Sequence, residues 1–137
     1  MDASASEPAI VLIPRDRTCA AVARQWLERE LPTGLERRVL DDLKLLATEL
    51  VVNAFIHGRG RIELQLRAFP NRVRVEVIDE GKGAAIQIRE DGPELGGWGL
   101  KLVDKLSAAW GAYEGTTHVW ADVSVLEPPS ERRSTVS

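Results

Sequence analysis

The stretch Leu43–His57, LKLLATELVVNAFIH, is apolar nearly all the way round a helix. Such a helix is stable only when most of its surface is buried, so the rest of the chain must supply a layer for it to pack on. The spacing predicts one helix from about Leu35 to His57, stopped by Gly58 and Gly60. Two alternating segments follow it. Arg61–Ala68 sets Ile62, Leu64 and Leu66 against charged or polar neighbours, and Arg72–Ile78 sets Val73, Val75 and Val77 against Arg72, Arg74 and Glu76. A period of two reads as strands with one buried face, and Pro70-Asn71 between them as a hairpin turn. Upstream, Ala9–Ile13 is a short apolar run ending at Pro14, which fits a strand. Asp16 to about Leu31 repeats Cys19, Val22, Ala23, Trp26 and Leu27 at helical spacing until Pro32 and Gly34. Downstream, Leu100 to about Ala108 resumes that spacing, and Trp110–Tyr113 with Thr117–Val125 reads as a last hairpin turning at Glu114-Gly115. Helices must cover a sheet face, so the expected fold class is α/β (α+β). It is a two-layer sandwich of a mixed, mostly antiparallel sheet of four or five strands, covered on one face by three helices.

The length of 137 residues fits one domain, expected over 9–125, between a flexible N-terminus (1–8) and a flexible Pro/Ser-rich tail (126–137). Eighteen basic against twenty-one acidic residues give a formal net charge of −3, which excludes a domain-wide basic footprint for nucleic acid. The single cysteine, Cys19, rules out an internal disulfide framework and points to a reducing compartment. Two histidines and one cysteine are too few for a His/Cys zinc site of the four-ligand kind. The start, MDASASEP, lacks the features of a signal peptide, and no apolar stretch approaches the roughly 20 residues of a membrane span. The expectation is a soluble, cytoplasmic domain.

Three constellations carry chemistry. Glu49, Asn53 and His57 stand at i, i+4 and i+8, one stripe of carboxylate, amide and imidazole along the long helix. A narrow solvated face is the plain reading, but Leu50, Val52 and Ile56 flank the stripe, so it opens onto a cleft. A carboxylate there can act as a general base, and an amide oxygen one turn away can complete the shell of a hard cation already held by phosphates. Next, Asp79-Glu80-Gly81-Lys82-Gly83 follows a strand directly. The aspartate can accept from an exocyclic amine, and the glycines let backbone approach a flat ligand; many ordinary turns share the pattern. Last, Gly96-Gly97-Trp98-Gly99-Leu100 opens a helix, where free N–H groups suit phosphate, although a plain glycine-rich helix start looks the same. The intervening glycine-rich region, 79–99, has little periodicity and reads as a long loop of the functional or mobile kind. No Walker A motif and no G-x-G-x-x-G after a strand occur, so any nucleotide site is of another type.

Taken in order, ELVVNAFIHG, DEGKG, GGWGL and THVWADV resemble the GHKL ATPase superfamily of gyrase, heat-shock chaperone, histidine-kinase and mismatch-repair ATPase domains, over roughly residues 9–125. The short stretch between DEGKG and GGWGL and the early strand and helix look most like the stand-alone anti-sigma-factor serine/threonine kinases of bacterial partner-switching systems. The resemblance implies a GHKL fold, ATP and Mg²⁺ as ligands, and a protein serine/threonine kinase. Such a kinase phosphorylates a STAS-type anti-anti-sigma protein and sequesters a sigma factor, as a homodimer, without touching nucleic acid or membrane. It implies Glu49 as the catalytic acidic residue that orients or deprotonates the attacking hydroxyl, and Asn53 as the Mg²⁺ ligand. Asp79 takes the adenine amine, with Gly81 and Gly83 in its pocket. Gly97, Trp98, Gly99 and Leu100 lie along the phosphates, Thr117 near the adenine, and His57 at the cleft mouth. Two positions depart from the branch. Trp98 replaces a small or basic residue and supplies no charge for the γ-phosphate, which leaves a weak or inactive ATP-binding module, acting only by sequestration, as the alternative. His118 stands where many relatives carry lysine. Lys82, Arg89 and Lys101 remain as cations for the phosphates, while Trp26, Trp110 and Trp120 read as core.

Overall fold

Strands β1 (Ala9–Ile13), β2 (Ile62–Phe69), β3 (Arg72–Ile78), β4 (Ala109–Ala112) and β5 (Val119–Ser124) join helices α1 (Cys19–Glu30) and α2 (Arg37–His57) in a computed structural model that describes residues 7–81, 103, 105–112 and 118–126. The strands form one sheet in the order β1-β2-β3-β5-β4. Its registers follow from the apolar alternation. Leu64 faces Val77 and then Val119, Leu66 faces Val75 and then Ala121, and Ala68 faces Val73 and then Val123. A slip of one residue would turn each row to water, and eight of those nine side chains are buried, with Ala68 partly so.

The sequence predicts a mixed sheet; all four described pairings are antiparallel. Strands β1, β3 and β4 run one way and β2 and β5 the other, so no two parallel strands are neighbours. Of the third expected helix, the described residues Val103, Lys105 and Leu106 are helical, and Ser107 N–H donates to the Val103 carbonyl at 3.0 Å. Val103 is fully buried in the core that α1 and α2 share with the sheet, and only α1 and α2 are described in full.

Helix α2 buries Val39, Leu43, Leu46, Ala47, Leu50, Val51 and Ala54, and touches α1, β2, β3 and β5. Its outer positions Leu45 and Ile56 remain 39% exposed, so the apolar girth is only partly covered. Helix α1 adds Cys19, Ala23, Trp26 and Leu27. It begins later than its apolar spacing suggests, because Asp16 Oδ1 accepts the Thr18 N–H at 2.8 Å and holds a turn there.

Among the described residues the opposite sheet face carries charge instead of helices. Asp122 accepts from Arg74 Nε at 2.7 Å, Arg74 Nη2 at 3.0 Å and Arg72 Nε at 3.2 Å. Arg72 lies 3.8 Å from the Phe69 ring centre and Arg74 4.4 Å from that of Trp120. Trp120 is therefore not core as its alternation suggests; Val119 and Ala121 point inward and it points out, beneath an arginine. The ends expected to be flexible fall almost wholly outside the described residues.

If α2 is held by its inner stripe, Leu43→Ala should cost about 2–5 kcal/mol in chemical denaturation. Leu45→Ala on the outer side should cost about 1 kcal/mol or less. Equal losses would contradict this packing.

Candidate functional site

The α2 stripe changes environment along its length. Glu49 is half-buried, and burial pushes its carboxyl above the ordinary glutamate range. One turn on, about 6 Å along the axis, Asn53 is 7% exposed. Its Oδ1 is buried and has no hydrogen-bond partner among the described residues. An unpaired buried acceptor costs about 1–3 kcal/mol, so an amide oxygen kept in that state is a ready donor to a hard cation. His57, the last residue of α2, is exposed.

Beyond α2 the chain passes beneath the end of β3. Asp79 is 9% exposed, and its Oδ1 accepts the Gly81 N–H at 2.6 Å and, more weakly, the Arg59 N–H at 3.4 Å. Gly58 has φ −90°, a backbone any residue adopts. What excludes a side chain there is Asp79: a Cβ would overlap Oδ2 and stand 2.5 Å from Cγ and 2.7 Å from the Ala54 carbonyl. Glu80 secures the next residues. Its N–H donates to the Arg59 carbonyl at 2.9 Å, its Oε1 accepts the Arg61 N–H at 2.9 Å, and Gly60 turns at φ +68° against its side chain. The end of α2, the start of β2 and the end of β3 thus form one hydrogen-bonded corner.

The model of the histidine kinase-like ATPase domain matches residues 13–122, most of the chain. The chain belongs to the histidine kinase-like ATPase domain family. Twelve solved chains match it, among them the crystal structure of the RsbU and RsbW domains of Rv1364c from Mycobacterium tuberculosis. That match has a TM-score of 0.63 and 21% identity, and covers 87% of this chain and 31% of the other. At such identity the likeness is one of fold, and this chain spans under a third of the matched one. No curated protein matches.

An ATPase domain binds ATP; of the expected site residues, Asp79 and Gly81 lie at this corner, His57 ends α2 beside it, and Asn53 and Glu49 stand one and two helical turns further back along that helix. Gly83, Gly97, Trp98, Gly99, Leu100 and Thr117 lie outside the described residues, as do Lys82, Arg89 and Lys101. His118 reaches Glu76 at 2.9 Å on the open sheet face, away from the helical layer. Sequence reasoning missed Gly58, Glu80 and Arg15. It took Gly58 for a helix stop, and the signal was its position beside His57, ahead of a strand. Among the described residues no helix is long and apolar enough to cross a membrane.

Two outcomes test the corner. Gly58→Ala must displace the Asp79 carboxylate or the α2 terminus, so ADP affinity measured by calorimetry should fall by about 1.5 kcal/mol or more. Gly34→Ala, at φ +91° with open space around it, should cost about 1–2 kcal/mol of stability and leave the affinity unchanged. For Glu49, the folded chain binds its proton at higher pH than the unfolded chain, so stability declines as pH rises from the ordinary glutamate range through the raised value. Glu49→Gln lacks that loss. It should melt above the parent at neutral pH, with the difference closing below about pH 4; a constant difference across that range would refute the burial effect.

Proposed function

We propose that the chain is an ATP-dependent serine/threonine protein kinase of the anti-sigma type, acting in the cytoplasm. In this reading it phosphorylates a STAS-type anti-anti-sigma protein and, as a homodimer, sequesters a sigma factor until that antagonist displaces it. Family membership and a fold like that of a structure containing an RsbW domain support the reading. The observation that carries it is Asn53 Oδ1, buried and unpaired among the described residues, one helical turn from a half-buried Glu49.

The donor set fits Mg²⁺. Asn53 would supply one neutral hard oxygen, and phosphate oxygens of ATP would complete the shell. When bound, the ion neutralises charge on the β- and γ-phosphates. The rest falls to side chains. Asp79 accepts from the adenine amine, and the glycines beside it let the base lie against backbone. Glu49 takes the proton from the attacking serine or threonine hydroxyl as its oxygen bonds to the γ-phosphorus and the bond to the ADP oxygen breaks. A carboxyl raised by burial is the better base, since efficiency is highest when the pKa approaches the working pH.

Incubation with γ-labelled ATP and a STAS-domain protein tests this. Label should pass to the STAS protein, and Glu49→Gln should lower the rate by roughly 10²–10⁴-fold while changing nucleotide affinity little. Asn53→Ala should remove the gain in affinity that Mg²⁺ confers. Undiminished transfer by the Glu49 variant overturns its role; tight nucleotide binding with no transfer favours the inactive module.

A further inference from the structure

Arg15 follows β1 and is remote in sequence from the candidate site, yet its guanidinium ends on it. Nη1 donates to the Phe55 carbonyl at 2.8 Å, Nη2 to the Ala54 carbonyl at 3.0 Å, and Nε to the Gly60 carbonyl at 2.7 Å. The last carbonyls of a helix have no partner inside it and carry the negative end of its dipole. The Ala54 carbonyl also accepts the Gly58 N–H at 2.8 Å, so Arg15 joins a helix end that is already closing on itself. A planar guanidinium presents several donors in a fixed fork, whereas an ammonium is a single compact charge. The fork therefore sets three carbonyls at fixed places relative to one another.

Two of those carbonyls adjoin the nucleotide site from different sides. Ala54 is the residue after Asn53, and Gly60 closes the turn whose Gly58 lies against the Asp79 carboxylate. The cation spans α2 and the turn, and it is anchored from a third element, the end of β1. Rotation of the last turn of α2 would carry Asn53 with it, and lifting of the turn would release the Arg59 N–H from Asp79.

We propose that Arg15 is a positioning residue of the nucleotide site: it holds the end of α2 and the Gly58–Gly60 turn in one register, and so sets the spacing between Asn53 and Asp79. The proposal rests on the ATP-binding reading above and adds to it a residue outside every nucleotide motif of the chain.

The test is calorimetric titration of the parent, Arg15→Gln, Arg15→Lys and Leu27→Ala with ADP, with and without Mg²⁺, well below each melting temperature. Leu27 is fully buried in α1 and stands as a control for stability alone. In Arg15→Gln the dissociation constant for Mg-ADP should rise roughly 10–100-fold, the usual scale for losing the support of a ligating group, and the gain from Mg²⁺ should shrink. Arg15→Lys, keeping the charge without the fork, should fall between. Leu27→Ala should melt lower than the parent and bind ADP as the parent does. Should Arg15→Gln fail to fold, Arg15→Lys is judged by the same criterion. A folded Arg15 variant with the parent's affinity overturns the proposal while leaving the ATP-binding reading intact. A parent that binds no Mg-ADP overturns that reading, and the proposal with it.

Discussion

A carboxylate taken out of water must be given hydrogen-bond donors, or it neutralises or moves. At the end of β3 that demand shapes the backbone of two other elements. Asp79 Oδ1 takes the N–H groups of Gly81 and Arg59, and the second of these reaches it only because the chain leaving α2 runs flush beneath the acid. Flush passage leaves no room for a Cβ at residue 58. The chain must then turn sharply into β2, which Gly60 does in the left-handed region, and Glu80 ties the far side through the Arg61 N–H. Two adjacent acids thus stand against two glycines, Asp79 against Gly58 at the exit of α2 and Glu80 against Gly60 at the start of β2. The corner that holds Asp79 is also where the end of α2, the start of β2 and the end of β3 are joined.

The two sheet faces deal with polarity differently. On the helical side the layer is dry, and the buried polar side chains Asn53 and Asp79 sit toward one end of it. On the other side Asp122 is 5% exposed with no helix above it among the described residues, because Arg72 and Arg74 roof it. Isolated surface ion pairs contribute little. This lattice differs: Arg74 engages both carboxylate oxygens, and the arginine planes cover Phe69 and Trp120. The open face is thereby sealed by side chains lying flat on it, while Ile10 and Leu12 on the β1 edge stay more than half exposed.

The strands were legible because a period of two admits few alternatives: β1 and β3 have the bounds their apolar spacing predicts, and β2 differs by one residue at each end. Helix α2 was legible through its length and the glycines after it. What the spacing of Val119, Ala121 and Val123 conveyed about the core was right, yet it misassigned Trp120, since hydrophobicity alone does not say that an aromatic ring is covered by a cation from the neighbouring strand. Asn53 and Asp79 stood out as polar residues in apolar or strand-end settings, which is a local signal. Arg15 and Glu80 were not legible, because each acts through backbone groups distant along the chain, and such bonds leave no periodicity. Gly58 was seen as the stop of α2, which it is, but its closeness to Asp79 was not, because that acid is distant along the chain.

Helix α2 holds two opposed properties on one axis. Its inner stripe from Val39 to Ala54 supplies apolar burial, and its flank from Glu49 to Asn53 withholds stability, by a desolvated carboxyl and an unpaired amide oxygen. A chain that carries such groups recovers the loss only when something binds the folded state, by an amount set by ligand concentration over dissociation constant. The same arrangement makes that recovery selective. An apolar ligand would leave Asn53 Oδ1 unpaired, whereas the phosphate-held cation proposed above would meet it, so in that reading the unpaired oxygen discriminates among ligands. For this to work the defect must not relax by local rearrangement, and the end of α2 is where a helix frays most readily. The hydrogen bonds that fasten that end, from Gly58 within the turn and from Arg15 across it, are therefore what keeps the unpaired oxygen in place to be used.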